Sequence, residues 1–173
     1  HMNINGVLEF QEVCKNVDIQ PVIGCECYIV ENMDIKEKGE LRQHICFYVM
    51  NETGWKNLNK ILTKARIDGF YYKPRIDYKY VLDNCKGLIV TTACSNSFLN
   101  LLEGREFFKE LIENHADNTY IELMPLEYER QYTYHKRLLR FSRQCPGVKF
   151  IASNDCHYIN KEDANIHDIL LAI

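Results

Sequence analysis

Apolar positions along the chain switch repeatedly between helical spacing and short continuous runs. Residues 6–17 carry apolar side chains at helical spacing, and residues 22–30 and 44–50 are nearly continuous apolar runs of strand length. The same pattern predicts later helices over residues 51–65, 78–85, 104–115, 128–145 and 161–173, and strands over 88–92, 119–123 and 148–152. Strands and helices that alternate with short connections predict an α/β fold with a parallel sheet, either a barrel or an open sheet.

A polar cluster follows the last predicted strand directly and contains Asp155 and His157. In an extended chain these two side chains would point to the same side, because side chains alternate along a strand. A carboxylate and an imidazole at the end of a buried strand are typical of a hydrolytic metal site. The alternative is that Asp155 caps the following helix and His157 lies in a surface loop.

Three further residues of metal-ligating type lie in or near strand ends. Glu26 is charged within an apolar strand, where burial of its carboxylate needs a metal, a cation or solvent. His44 opens the next strand, and Cys94 follows the strand over 88–92. Each has a plain structural alternative: a solvent-facing acid, a strand-edge histidine and a buried thiol. Together with Asp155 and His157, they predict a multinuclear metal site built from several strand ends.

The loop over residues 69–77 combines positive charge with aromatic side chains. The chain has a net charge of −3 and a pI of about 6.1, which excludes a global basic field for nucleic-acid binding. In the loop, Lys73 and Arg75 are mixed with aromatic residues, a composition suited to contacts with phosphates and bases. The alternative is a packed aromatic loop.

The pattern of the eight cysteines and the hydropathy of the chain indicate the cellular compartment. There is no CxxC pair, and most cysteines fall inside apolar segments, which favours reduced thiols in the cytoplasm over a disulfide framework. No apolar run reaches the length of roughly 18 residues that a membrane span needs, and no signal-peptide pattern is seen. The pair His1-Met2 is typical of a cloning remnant.

Several long phrases resemble one known family, and they occur in the same order. They are Ile23-Gly-Cys-Glu-Cys-Tyr28, Asn51-Glu-Thr-Gly-Trp-Lys-Asn-Leu58, Gly69-Phe-Tyr-Tyr-Lys-Pro-Arg-Ile-Asp77, Ser153-Asn-Asp-Cys-His-Tyr158 and Glu162-Asp-Ala-Asn-Ile-His-Asp-Ile-Leu-Leu-Ala-Ile173. All resemble the PHP (polymerase and histidinol phosphatase) domain in the branch found in bacterial DNA polymerase III alpha subunits. The resemblance extends over essentially the whole chain.

This resemblance implies a distorted (βα)7 TIM-like barrel with a metal cleft at the carboxyl ends of its strands. The ligand positions of the family correspond to Glu26, His44, Cys94, Asp155 and His157. His1 aligns with the histidine of the family's Asp-His motif, as a true ligand position or as a tag residue. The opening His-x-His strand of the family is not found, so residues 1–173 are expected to form a partial PHP domain that lacks its first strand or strands.

The resemblance also implies two functions, with DNA and other replisome subunits as partners. The first is a phosphoesterase that uses zinc, manganese or magnesium, as a 3′→5′ exonuclease or on pyrophosphate. The second is a scaffold that stabilises the polymerase and docks a proofreading subunit. An incomplete ligand set predicts that this chain alone is catalytically silent, and open sheet edges predict a homodimer. A stand-alone phosphatase of the histidinol-phosphate type and a binding module without metal are the alternatives from other classes.

Overall fold

The computed structural model describes residues 1–125 and 129–173, which form six α-helices and six strands. In chain order these are α1 (Val7–Asn16), β1 (Gly24–Val30), β2 (Gln43–Val49), α2 (Glu52–Ile67), β3 (Ile76–Asp77), α3 (Tyr78–Asn84), β4 (Leu88–Thr91), α4 (Leu102–His115), β5 (Thr119–Leu123), α5 (Glu129–Ser142), β6 (Lys149–Ala152) and α6 (Ala164–Ala172). The α/β class is confirmed. The predicted start of the fifth helix at Tyr128 lies outside the described residues.

The six strands form one mixed sheet in the order β3-β1-β2-β4-β5-β6. Strand β2 is antiparallel to both of its neighbours, whereas the remaining pairs are parallel. The prediction of a parallel sheet is therefore wrong for β2. The reason lies in the connection over residues 31–42, which contains no helix, because a parallel return needs a crossover that is usually helical.

The two faces of the sheet have different characters along β1 and β2. Cys27 and Ile29 of β1 and Ile45 and Phe47 of β2 are fully buried in a core that is shared with α2 and α3. The alternate residues, among them Glu26 and His44, are only half-buried. Because successive side chains point to opposite faces of a strand, these polar residues share the face turned away from the core.

Helix α2 is fixed against the sheet at its amino end. Asn51 caps the helix, since its side chain accepts a hydrogen bond from the backbone N–H of Gly54 at 3.1 Å. A Cβ atom on Gly54 would lie 1.9 Å from the carbonyl oxygen of Gly87, so only glycine allows this approach. Gly87 itself has a φ of +78° and forms the turn that leads into β4.

The parallel arrangement of β4, β5 and β6 brings their carboxyl ends to one edge of the sheet. The amino end of β2 lies at the same edge, because His44 forms a bridge with Ser97 in the segment after β4. The polar residues that follow the strands therefore meet there, as they do in α/β enzymes. Each of the eight cysteines is a free thiol. In the described part of the chain, no helix has the length and apolar character of a membrane span.

Candidate metal site

The carboxylate of Glu26 lies between two imidazole rings. Its Oε1 is 2.9 Å from Nδ1 of His44, and its Oε2 is 3.0 Å from Nε2 of His1. One ligand atom from each residue lies within 4.8 Å of the other two, and no other such group of three occurs within residues 1–125 and 129–173. Imidazole nitrogens and carboxylate oxygens are common zinc ligands, so this donor set fits a divalent metal ion.

The pairing of β1 with β2 brings two of these groups together. Glu26 lies opposite Cys46, and Tyr28 lies opposite His44. Glu26 and His44 are therefore diagonal neighbours on one face, a distance that long side chains can bridge. The side chain of His44 is 13% exposed and that of Glu26 is 27% exposed, so both remain reachable from solvent.

The third group, His1, is held by contacts of its own ring and of the next residue. The backbone N–H of Met2 donates to the carbonyl oxygen of Glu26 at 2.8 Å, and the Met2 side chain is buried. Arg66 donates to the carbonyl oxygen of Met2 at 2.9 Å. The His1 ring stacks on Tyr28 with 4.5 Å between ring centroids. The amino end of the chain is thus built into the site.

Cys94 lies beside the same cluster, on the segment after β4. Its Sγ is 3.3 Å from Nδ1 of His44 and accepts a hydrogen bond from the backbone N–H of Asn96 at 3.4 Å. Burial raises the pKa of the Cys94 thiol to about 11, with the Glu26 and Asp155 charges adding to this effect and the Asn96 contact opposing it. The thiol is therefore protonated at neutral pH until a metal or a base takes its proton.

Asp155 reaches this region by a different backbone path from the one expected. Strand β6 ends at Ala152, and Asp155 has a φ of +50°, a left-handed conformation that aspartate tolerates better than most residues. Asp155 nevertheless lines one cavity of about 330 Å³ with Glu26 and Cys94. Burial raises the pKa of its carboxyl group, and the nearby His157 partly opposes that effect.

His157 lines a neighbouring cleft, which Asp155 lines as well. Its Nδ1 is 3.9 Å from Oδ1 of Asp155 and 2.8 Å from the carbonyl oxygen of the same residue. Its ring lies 5.5 Å from that of His167, and both residues line the second cleft. The expectation of an extended strand at Asp155 is wrong, because this residue has a left-handed conformation, but the two side chains still lie close together and both line the second cleft.

Glu122 is a buried acid that the sequence reasoning missed. Its side chain is 3% exposed, and Oε2 accepts a hydrogen bond from Oγ1 of Thr91 at 2.6 Å. Its Oε1 accepts a second, short hydrogen bond from Oγ of Ser153. Glu122 lines the same cavity as Glu26, Cys94 and Asp155. Glu122 could have been predicted in the same way as Glu26, because each is a lone acid in a predicted apolar strand.

Only one of the two cations in the loop over residues 69–77 is exposed to solvent. Arg75 has no exposed surface: its guanidinium donates to the carbonyl oxygens of Met33, Ile35 and Gly69, and it pairs with Glu40. The prediction that Arg75 contacts nucleic acid is therefore wrong, because its donors are used inside the protein. Lys73 is exposed, and its role as a nucleic-acid contact stays a prediction.

Comparison with known proteins gives one family and one group of relatives. The PHP domain family matches residues 1–125, a range that includes His1, Glu26, His44 and Cys94. Three of the most similar curated proteins are DNA polymerase III alpha subunits, from Borreliella burgdorferi (33% identical), Treponema pallidum (34%) and Aquifex aeolicus (32%). Each alignment covers 100% of this chain and 16% of the relative, so the chain spans about a sixth of their length.

Proposed function

This chain belongs to the PHP domain family, and from that premise we propose that it is a divalent-metal-binding domain of a replicative DNA polymerase III alpha subunit. The observation that carries the proposal is the position of Glu26 between the rings of His1 and His44. Binding of DNA and of other replisome subunits through the parent polymerase belongs to the same proposal. Its support is the similarity to alpha subunits over the whole chain.

We further propose that residues 1–173 are part of a distorted (βα)7 barrel of the PHP type. Two features support this arrangement. Helices pack against the core face of β1 and β2, while the candidate ligands share the other face. The ligand-type residues also gather at the edge where the parallel strands end, which is where barrel enzymes place their sites.

His1, Glu26, His44, Cys94 and Asp155 are the proposed ligands, with His157 on the rim of the site. His1 is included as a native position because it lies inside the family match and is fixed by Met2 and Tyr28. Zinc suits the imidazole and thiolate donors, whereas manganese or magnesium suits the carboxylates. A bound ion would supply Lewis-acid polarisation of a phosphoryl oxygen and an activated water nucleophile.

The protein groups themselves orient and charge this site. Glu26 fixes both imidazoles through its two oxygens, and Asn96 fixes Cys94 through its backbone N–H. Burial raises the pKa of Asp155, so this carboxyl group takes up a proton more readily than a free aspartate does. Such a set suits phosphodiester hydrolysis in the 3′→5′ direction or hydrolysis of pyrophosphate.

We expect this chain alone to hold metal but to be catalytically silent. Only one cluster of three ligand atoms forms within the described residues, whereas clamping both the attacking and the leaving oxygen takes two ions. The check is a hydrolysis assay on a labelled single-stranded oligonucleotide with added manganese. If the original chain cleaves the oligonucleotide and Asp155→Asn abolishes the cleavage, the chain is an active phosphodiesterase and the expectation of no activity is wrong.

The metal content of the purified chain tests the site itself. Inductively coupled plasma mass spectrometry should find zinc or manganese near one ion per chain, and Glu26→Gln should remove most of it. Glu31→Gln is the matched control, because Glu31 is an exposed acid at the end of the same strand. An Asp155→Ala/His157→Ala variant then reports the contribution of the loop after β6. No metal in the original chain after incubation with an excess would overturn the proposal.

A scaffold that docks a proofreading subunit is the second candidate, and one observation favours it. Helix α6 exposes Ile166, Ile169, Leu170 and Leu171 at 60–73% of their surface, an apolar area of the kind that protein interfaces use. A pure scaffold needs no ion, so its thermal unfolding midpoint should not change on chelation. A midpoint that falls on addition of EDTA would favour the metal-binding function instead.

A further inference from the structure

Helix α5 carries a local concentration of positive charge. Its residues Arg130, Lys136, Arg137 and Arg140 are opposed by a single acid, Glu129, in a chain whose net charge is −3. The buried stripe of the helix consists of Gln131, Tyr134, His135, Leu138 and Phe141. At 100° per residue, Arg130 and Arg137 lie along one edge of that stripe, while Lys136 lies on the opposite, solvent-facing side.

The edge that carries Arg130 and Arg137 borders an open groove of about 490 Å³. Ser95, Asn100 and Thr133 line the groove with them, and Glu129 is the only acid among its lining residues. Neither arginine forms an ion pair within residues 1–125 and 129–173. Two cations two helical turns apart, about 10 Å along the axis, therefore face the groove.

A short chain of contacts joins this groove to the candidate metal site. Arg130 donates a short hydrogen bond to Oδ1 of Asn96. The backbone N–H of Asn96 donates to Sγ of Cys94 at 3.4 Å, and its carbonyl oxygen accepts from the backbone N–H of His44 at 2.9 Å. Asn96 thus contacts the arginine edge and two of the candidate ligands, which places the groove next to the candidate metal site.

We propose that Arg130 and Arg137 form a binding site for the phosphodiester backbone of single-stranded DNA, leading into the metal site. The inference rests on the proposed function and adds the path that the substrate strand follows. Arginine suits this role because its planar fork of donors matches phosphate oxygens. Thr133 and Ser95 add hydroxyl donors between the two cations. The contacts are to the backbone, so they carry no base preference.

Fluorescence anisotropy with a labelled oligothymidylate of about 12 nucleotides tests this site in the presence of EDTA. The Arg130→Gln/Arg137→Gln variant should bind about tenfold more weakly at low salt, and its salt slope should fall by about 1.4, since each phosphate contact on a single strand contributes about 0.7. Lys136→Gln/Arg140→Gln is the matched control, with the same loss of charge on the outward side of the helix. It should weaken binding by less than about threefold.

Two further measurements keep the result interpretable. Arg130→Lys/Arg137→Lys keeps the charge and should recover most of the binding, which separates lost contacts from misfolding. Equal losses in the glutamine variant and its control would overturn the proposal, as would an original chain that binds no oligonucleotide at low salt. Metal content is measured on each variant. If the original chain binds metal but no oligonucleotide, the arginine site is contradicted and the proposed function stands. If it binds oligonucleotide but takes up no metal, the proposed metal-binding function is contradicted and the arginine site stands.

Discussion

The Sγ atom of Cys94 lies 3.3 Å from Nδ1 of His44, although 50 positions of sequence separate the two residues. The same nitrogen faces Oε1 of Glu26 at 2.9 Å. Burial raises the pKa of the Cys94 thiol to about 11, so the thiol keeps its proton at neutral pH. Metal ligation requires the thiolate, and binding must therefore expel that proton.

Replacing Cys94 should change the proton balance of zinc binding. Near pH 7.5, Cys94→Ala should release about one proton fewer per zinc bound, and its zinc affinity should rise less steeply with pH than that of the original chain. The measurement is titration with zinc in a weakly buffered solution containing a pH indicator. Cys14→Ala is the control, because that buried thiol lies on α1 and does not contact the cluster. Equal proton release by all three proteins would mean that Cys94 is not a ligand.

The sequence allowed the helices and five of the six strands to be predicted in order, but not the short strand β3 or the direction of every strand. Apolar runs mark β1 and β2 clearly, yet they contain no information on which neighbour each strand pairs with. The reversal of β2 follows from the missing helix between residues 31 and 42, which is a property of a connection and not of a strand. Hydrophobic periodicity identifies elements, whereas topology depends on long-range pairing.

The candidate site was predictable by residue type and less so by geometry. Glu26, His44 and Cys94 stood out because polar groups in apolar strands need compensation, and the structure brings them together. The sequence favours a tag remnant at His1, since no local pattern shows that residue 1 lies next to β1. Arg75 failed as a ligand contact because its partners come from residues 33–40, which adjoin it only in the fold.

Arg75 should be among the most destabilising positions to change. Arg75→Met removes a buried guanidinium and leaves three carbonyl oxygens and the Glu40 carboxylate without their donor. We expect the free energy of unfolding to fall by about 3–5 kcal/mol, as for other broken buried pairs. Urea denaturation measures it, with the exposed Lys73→Met as a control that should cost no more than about 0.5 kcal/mol. Similar costs for the two variants would contradict the role of Arg75 as an internal anchor.

Glu122 should act on both stability and metal affinity. It accepts hydrogen bonds from Thr91 of β4 and from Ser153 after β6, so it ties the loop that carries Asp155 to the strand before Cys94. Glu122→Gln should cost about 1–3 kcal/mol of stability. It should also weaken metal binding about tenfold, the usual effect of losing a partner outside the ligand shell.

Thermal unfolding and competition with a chelating dye measure these two effects on Glu122→Gln. Glu110→Gln serves as the control, because Glu110 is an exposed acid on α4. A loss of stability without any loss of metal affinity would make Glu122 a structural residue with no part in positioning the site.

The outer edge of β6 should pair with a second copy of the chain. Among the strands that the structure describes, β6 hydrogen-bonds only to β5, and all four of its residues are exposed, including Phe150 at 43% and Ile151 at 40%. An exposed apolar edge offers free backbone donors and acceptors to another strand. Light scattering after size exclusion should therefore give a mass that rises from 20.4 kDa towards twice that value with concentration. Ile151→Lys should shift the equilibrium to monomer, and Ile67→Lys, on an exposed helix end, should not. A monomer at every concentration would contradict the prediction, and a dimer lost only on Leu170→Glu would place the contact on α6.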